Sequence, residues 1–396
     1  MNRLRKRSVP KGFDNKLVSQ YIKFADASDR GKWDGYARTH PDASIFHLFG
    51  WRDVIGRTYG HETYYLMLMS CGETTDAAQL HAMGGDGSAE IVVGVLPLVR
   101  LKHALFGNSL ISLPFVDGGG ILADSNEAEE QLLREAVRLG QKTGANHIEL
   151  RHYRALESCS APGFSCDERS QEPLPVATRT DKVRMLLELP ESSVMLMKSF
   201  KSKLRSQILK PSKEGLTSKT GGVELLGDFY RVFLINMRDL GSPIHSITLM
   251  RRVLTEFSEC SRIVAVYKGP EPVAAALVVG FDKVLSNPWA SSLRKYASLG
   301  PNMLLYRSML EYACDHGYRA FDFGRSTKGE GTYRFKEQWG AAPVPLFWYY
   351  ISIDGKLPKP NNAGKERFEA MSRYWKKLPL NVTRFIGPRI RKHIGL

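Results

Sequence analysis

One order of elements occurs twice in this chain, and it narrows the choice of fold more than any other feature. In the first half a strand-like run, EIVVGVLPLVRL from Glu90 to Leu101, precedes a second apolar stretch, SLISLPFVDGGG; ADSNEAEEQLLREAVRLGQKTG and HIELR follow. Leu132, Leu133, Ala136, Val137 and Gly140 recur with the 3.6-residue period of an amphipathic helix, and Asp124 with Glu127 has the spacing of a capping box at its start. The second half repeats the order as PVAAALVVGF, VLSNPWASSL, NMLLYRSMLEYACDHG and FDFGR. Two copies of a strand-strand-helix-strand unit predict an α/β chain of two similar domains.

Size agrees with this, since 396 residues exceed one ordinary domain of roughly 150. The Pro-, Ser- and charge-rich stretch SCSAPGFSCDERSQEPLPVATRTDKV reads as the boundary region. The expected organisation is a basic segment over 1–16, domains over 17–178 and 179–355, and a basic tail over 356–396. Fifty-six Lys and Arg against 41 Asp and Glu give a net charge of +15, which implies polyanionic company: nucleic acid, phosphorylated substrates or an anionic membrane surface. Basic residues cluster at Arg3 to Lys11, Lys198 to Lys219 and Arg384 to His393. Five scattered cysteines without a C-x-x-C pair indicate neither a disulfide framework nor a zinc knuckle, and fit a reducing cytosol. MNRLRKRSVPKGF has no apolar run behind its charges, and no window approaches a membrane span, so a cytoplasmic protein is expected.

Motif elimination removes several chemistries. There is no G-x-x-x-x-G-K-[ST] loop, no G-x-G-x-x-G opening a helix, no H-E-x-x-H and no G-x-S-x-G elbow, and the ten histidines lack metal spacing. His245 in RDLGSPIHS is the one worth watching. Gly118, Gly119 and Gly120 form either a tight connection or an anion-binding turn. In SVMLMKSFKSKLRSQILKPSKEG, Leu196, Phe200, Leu204 and Ile208 fall at intervals of four and predict a helix flanked by Lys201, Lys203 and Arg205.

The segment FDFGRSTKGEGTYRFKEQWGA, Phe321 to Ala341, concentrates the remaining signals. Strand alternation buries Phe321 and Phe323 on one side and turns Asp322 to the other, while Arg325 emerges where the strand ends. Gly324, Gly329 and Gly331 let the backbone turn or approach a ligand closely. Asp322 is placed to orient Arg325 or Lys336, or to accept a proton. The same residues also read as a strand, a Gly-rich hairpin turn and a structural Trp339.

FHLFGWRDVIGRTYGHETYYL, GVLPLVR, LFG, SLPFVDGGG and IELR, then KSKLRSQILK, RDLGSPIHS, PWASSL, PNMLLY and the Phe321 to Ala341 block, resemble in order the Fem-type (FemAB-like) aminoacyl transferases. More narrowly they resemble the subgroup associated with exosortase/PEP-CTERM and exopolysaccharide loci. The resemblance spans about Phe46 to Tyr350. It implies two tandem GNAT-like domains, each a mixed, mostly antiparallel sheet flanked by helices, moving an amino acid from aminoacyl-tRNA to an amine of a cell-wall precursor. The family's Phe-Lys pair falls on Phe335 and Lys336. Amine attack on an ester carbonyl builds negative charge on oxygen, which a positioned ammonium stabilises, and Lys336 is the candidate, with Asp322 and Arg325 beside it. Lys336 could equally hold a phosphate or the tRNA end.

Substrate-binding candidates are Phe335, Tyr333, Trp339, Trp289, Ser291, Ser292, Arg238, Lys203, Arg205 and Asn302. Lys203 and Arg205 suit phosphate contacts, and Arg238 reads also as an ion pair with Asp239. The Q/R-x-x-G-x-G/A loop of acetyl-CoA enzymes is missing around Gly300, which weakens acetyl-CoA as donor. Three readings stand: an aminoacyl-tRNA-dependent transferase, an N-acyltransferase using acyl-CoA or an acyl carrier on an amino sugar, and a non-catalytic scaffold of the polysaccharide machinery. No bound cofactor or metal is expected. The tail YWKKLPLNVTRFIGPRIRKHIGL mixes apolar and basic residues, with Pro379 and Pro388 expected to break any long helix, and suits either peripheral contact with anionic lipid or plain solvation.

Overall fold

The computed structural model of the chain describes residues 19–73, 88–157, 174–356 and 362–395. The basic N-terminal segment, Cys159, Cys166 and most of the expected boundary stretch lie outside the described residues.

Strands β1 (Ser19–Phe24), β2 (Thr63–Glu73), β3 (Ser88–His103), β4 (Gly107–Ile111), β5 (Leu122–Ala123), β6 (His147–His152) and β7 (Val176–Arg179) belong to one sheet. A second sheet holds β8 (Lys182–Glu188), β9 (Leu216–Gly221), β10 (Ser261–Lys268), β11 (Glu271–Phe281), β12 (Val284–Ser292), β13 (Ala320–Thr327) and β14 (Ala342–Pro345), in the order β14-β8-β13-β12-β11-β10-β9. The last strand, β15 (Phe347–Ser352), returns to the first sheet, whose order is β1-β2-β3-β4-β6-β15-β7 with β5 beside β3. This return sets Trp348 opposite Arg151 of β6 and Arg179 of β7.

The repeated unit has the same geometry in both halves. Each contains one parallel pair in an otherwise antiparallel sheet, β4 with β6 and β12 with β13, and each parallel pairing lasts three residues. In the second half it stops at Ser286 opposite Asp322. The crossover helices that make these connections, Asn126–Thr143 and Pro301–Asp315, bury one face on their sheets. The first begins one residue later than the Asp124/Glu127 spacing predicts: Ser125 is the cap and its hydroxyl accepts the Ala128 N–H, because Asp124 instead accepts from the Tyr36 hydroxyl at 3.0 Å.

Two apolar clusters each serve one sheet, and a third spans both halves. It joins Trp33, Trp51 and Tyr65 to Phe229, Phe233, Met250 and Leu277. At about 1.5–3 kcal/mol for each fully buried large side chain, this shared core fixes the halves against each other.

The predicted helix across Leu196 to Ile208 is two helices, Ser193–Ser199 and Ser202–Lys213. Phe200 breaks it by taking extended dihedrals and turning its ring edge-on to Trp339, with centroids 5.6 Å apart. In the tail, Pro379 breaks the chain between helices Asn362–Trp375 and Leu380–Arg391 as expected, but Pro388 lies inside the second helix, where it supplies no N–H to the carbonyl four residues back.

Candidate active site

A β-bulge organises the site. Between Asp322 and Arg325 the register of β13 against β8 shifts, and Gly324 sits there with φ +75°, a conformation that costs any other residue about 1–2 kcal/mol. Asp322 holds the bulge by accepting the Gly324 N–H at 2.9 Å. The bulge turns the Gly324 and Arg325 carbonyls toward Lys336, whose ammonium donates to them at 3.0 and 2.9 Å. Lys336 comes from a short helix, Gly331–Glu337, where the sequence suggested a hairpin turn. Because two of its three N–H groups are committed to fixed carbonyls, the third has a defined direction.

Lys336 is 7% exposed, and burial pulls its pKa down to about 8, against the opposing pull of Asp322 and Asp117. It borders a cavity of about 290 Å3 that begins where β12 and β13 stop pairing, lined by Asp117, Tyr153, Asn287, Tyr306, Asp322 and Arg325 among others. Asp322 is not available to orient Arg325 or Lys336: its second oxygen pairs with Arg184 at 3.1 Å, and the Arg184 guanidinium lies 4.1 Å from the Tyr153 ring centroid. Arg325 pairs instead with Asp117, Nε to Oδ1 at 3.5 Å. Burial pushes the Asp117 carboxyl above its ordinary range, with Arg325 working the other way, and Oδ1 is buried without a hydrogen bond. The Asn287 carbonyl oxygen is likewise buried and unpartnered, and burial raises the neighbouring Tyr306 hydroxyl to about 12. These groups leave one buried cation and two buried acceptors facing the same space.

Two guanidiniums lie over the Trp348 ring, Arg151 4.7 Å and Arg325 5.0 Å from its centroid. Arg151 is fixed by Glu149 and by the Leu113 and Val116 carbonyls. The glycine triplet explains how these parts approach so closely: a Cβ on Gly118 would meet the Tyr153 ring at 2.6 Å, and one on Gly120 the His152 ring at 2.4 Å.

The structure brings Lys336, Asp322, Arg325 and Phe335 together; the Phe335 ring packs on Tyr306 at 5.0 Å, and Tyr306 stacks on Phe323. Tyr333 is half-buried against the second-half core, and Trp339 is fully buried, edge-on to Phe335 and Phe200. Trp289 lies in the shared core near His245, Ser291 accepts a hydrogen bond from Asn236, and Ser292 ends β12 beside it. Arg238 pairs with Asp239 at 2.7 Å on helix Leu226–Leu240. Lys203, Arg205 and Asn302 are exposed and do not line the cavity. His245 is a core residue, accepting from Arg391 at 3.1 Å and held neutral by burial. Sequence reasoning missed Asp117, Arg184, Tyr153, Asn287, Tyr306 and Trp348. Asp117 stood beside the glycine triplet, and Arg184 was a charge on an alternating strand; the others gave no signal apart from apolar runs.

Among the described residues no group of three His, Cys, Asp or Glu side chains could hold a metal ion, and no helix is long and apolar enough to cross a membrane. Residues 198–337, which hold the bulge and Lys336, match the family model of an acetyltransferase (GNAT) domain. No curated protein matches the sequence. Among solved structures the chain is similar to FemX, at 15% identity and TM-score 0.58 over 83% of this chain and 96% of that one. It is also similar to L-PGS from Bacillus licheniformis, at 12% identity and TM-score 0.50 over 94% and 98%, and to a DUF2156 domain from Agrobacterium fabrum, at 12% and 0.51 over 88% and 96%. The fold is the expected α/β arrangement of two tandem GNAT-like units, and the domain match supports an enzyme of the acyltransferase class.

Proposed function

We propose that the protein transfers an aminoacyl group from charged tRNA to an amine of an envelope polysaccharide or cell-wall precursor, at the cavity beside Lys336. The observation that carries this reading is the buried ammonium, held by two carbonyls and adjoining a cavity that also contains the buried Asp117 carboxyl. In the reaction the acceptor nitrogen attacks the ester carbonyl carbon. The new C–N bond forms, the C–O bond to the ribose breaks, and the proton lost by nitrogen ends on the departing ribose oxygen. The third Lys336 N–H meets the negative charge that develops on the carbonyl oxygen. Asp322 is committed to Arg184 and Gly324, so the proton is relayed by Asp117, whose raised pKa suits that task.

The FemX-like fold, the resemblance to the exopolysaccharide-associated Fem-type subgroup and the +15 charge support this donor and acceptor class. In this reading the enzyme is cytoplasmic, and residues 17–178 and 179–355 are the two units, with β15 exchanged into the first. A second reading, an acyl-CoA- or acyl-carrier-dependent N-acyltransferase, is favoured by the acetyltransferase domain match. A scaffold role is the third. Complementation of a deletion strain separates catalysis from scaffolding: Lys336→Met and Asp117→Asn should each fail to restore the wild-type envelope, whereas a scaffold would tolerate both.

A further inference from the structure

We propose that the C-terminal helix and the tip of the β3–β4 hairpin form one surface that docks on an anionic lipid bilayer. After Glu369 the chain has no acidic residue, yet it carries Arg373, Lys376, Lys377, Arg384, Arg389, Arg391 and Lys392. Helix Leu380–Arg391 is not a loose tail. Thr383 is 1% exposed, Gly387 packs so closely on Ile244 that a Cβ there would lie 3.0 Å from it, and Arg391 reaches in to His245.

Anchoring that face commits the opposite one to the outside. There Phe385 is 65% and Ile386 38% exposed, between Arg384 and Arg389. The Arg389 guanidinium stands 3.8 Å from the centroid of the Phe385 ring, so charge and apolar surface are presented together. Beyond the helix, the His393 ring lies tilted against His103 with centroids 4.3 Å apart and stacks on Phe106 at 6.4 Å. These contacts tie the tail to the hairpin, whose tip exposes Leu105 at 85% and Phe106 at 47% beside Lys102. A scattered exposed leucine needs no explanation. Two apolar tips held side by side by specific contacts, among the cations of the tail and Lys102 and with the nearby exposed Glu62 paired to Arg100, fit the headgroup boundary of a membrane, where apolar groups enter the acyl edge and Lys and Arg meet lipid phosphates.

Docking would also orient the enzyme. A cleft of about 360 Å3 reaches Phe106 and His393 and is lined by Arg151, Arg179, Lys182 and Arg325 against the carboxylates Glu149 and Asp181, and Arg325 borders the Lys336 cavity too. The bilayer would therefore lie beside a cleft of net positive charge that shares Arg325 with the reaction cavity.

The test is co-sedimentation of the protein with vesicles of phosphatidylcholine alone and of phosphatidylcholine mixed with phosphatidylglycerol, whose anionic headgroups attract surface Lys and Arg. Binding should require the anionic lipid and fall with added salt. Arg384→Gln with Arg389→Gln should weaken it about 30-fold, from roughly 1 kcal/mol per charge. Leu105→Ser with Phe385→Ser should weaken it while leaving the salt dependence in place. All four positions are exposed, and unchanged thermal unfolding would show that the variants fold. Lack of binding to anionic vesicles, or binding by both variants as tight as that of the wild type, would overturn the proposal. So would loss of tRNA binding or of self-association, rather than of vesicle binding, in these variants.

Discussion

Asp322→Asn isolates the ion pair that supports the bulge. The substitution keeps an oxygen able to accept the Gly324 N–H but removes the charge that Arg184 meets at 3.1 Å. Arg184 has no ready substitute: its Nε is buried without a hydrogen-bond partner and its guanidinium is stacked on Tyr153. Removing one member of a buried pair typically costs about 3–5 kcal/mol, since it strands the other charge. The loss should appear in urea unfolding as a lower midpoint at constant slope. Arg184→Met in the same chain removes the stranded charge and should recover most of the loss, so the two substitutions should be strongly non-additive. A second effect follows on activity. Asp322 helps keep Lys336 protonated, so its neutralisation should move the alkaline limb of the pH-rate profile below the wild-type value. A single-mutant loss under about 1 kcal/mol, or a double mutant equal to the sum of the singles, would refute the pairing argument.

Lys336→Met should reduce transfer by about 100- to 1000-fold with little change in donor binding. In the wild type the rate should fall as pH rises past about 8 and Lys336 loses its proton; a rate that rises through that pH would make the neutral amine a base instead. The same depressed pKa makes the unfolded chain bind more protons between about 8 and 10.5, so Lys336 should contribute stability that increases with pH across that window, and Lys336→Met should flatten it in urea titrations at several pH values. Gly120→Ala forces a Cβ to 2.4 Å from the His152 ring and 2.7 Å from the Arg151 carbonyl, and should lower thermal stability by about 1–3 kcal/mol. Gly324→Ala should cost about 1–2 kcal/mol by denaturant unfolding, and transfer should fall further than that loss accounts for, because the carbonyls that hold Lys336 move.

Periodicity made the architecture legible. The strand-strand-helix-strand order appears at β3, β4, helix Asn126–Thr143 and β6, and again at β11, β12, helix Pro301–Asp315 and β13. What it could not show was exchange between sheets. An apolar run at Phe347–Ser352 looks the same whichever sheet receives it, and its return to β6 and β7 is what brings Trp348 to Arg151 and Arg325. The site was legible in one segment only. Asp322, Arg325, Phe335 and Lys336 are close in sequence and the glycines mark an unusual backbone. Asp117 and Arg184 join them across long stretches of chain, so no spacing rule could pair Asp117 with Arg325 or Arg184 with Asp322. Asp322 also illustrates the limit of strand alternation: the pattern gave its direction, and the neighbouring strand decided its partner.

The most direct measurement of the central claim is label transfer to an envelope-precursor extract by the purified protein, with a mixed pool of radiolabelled aminoacyl-tRNA as donor and Lys336→Met as control. The account predicts acid-stable label in the extract that depends on wild-type protein and disappears when the tRNA is deacylated or digested beforehand. Label that moves only from acyl-CoA, or moves equally with Lys336→Met, would contradict it.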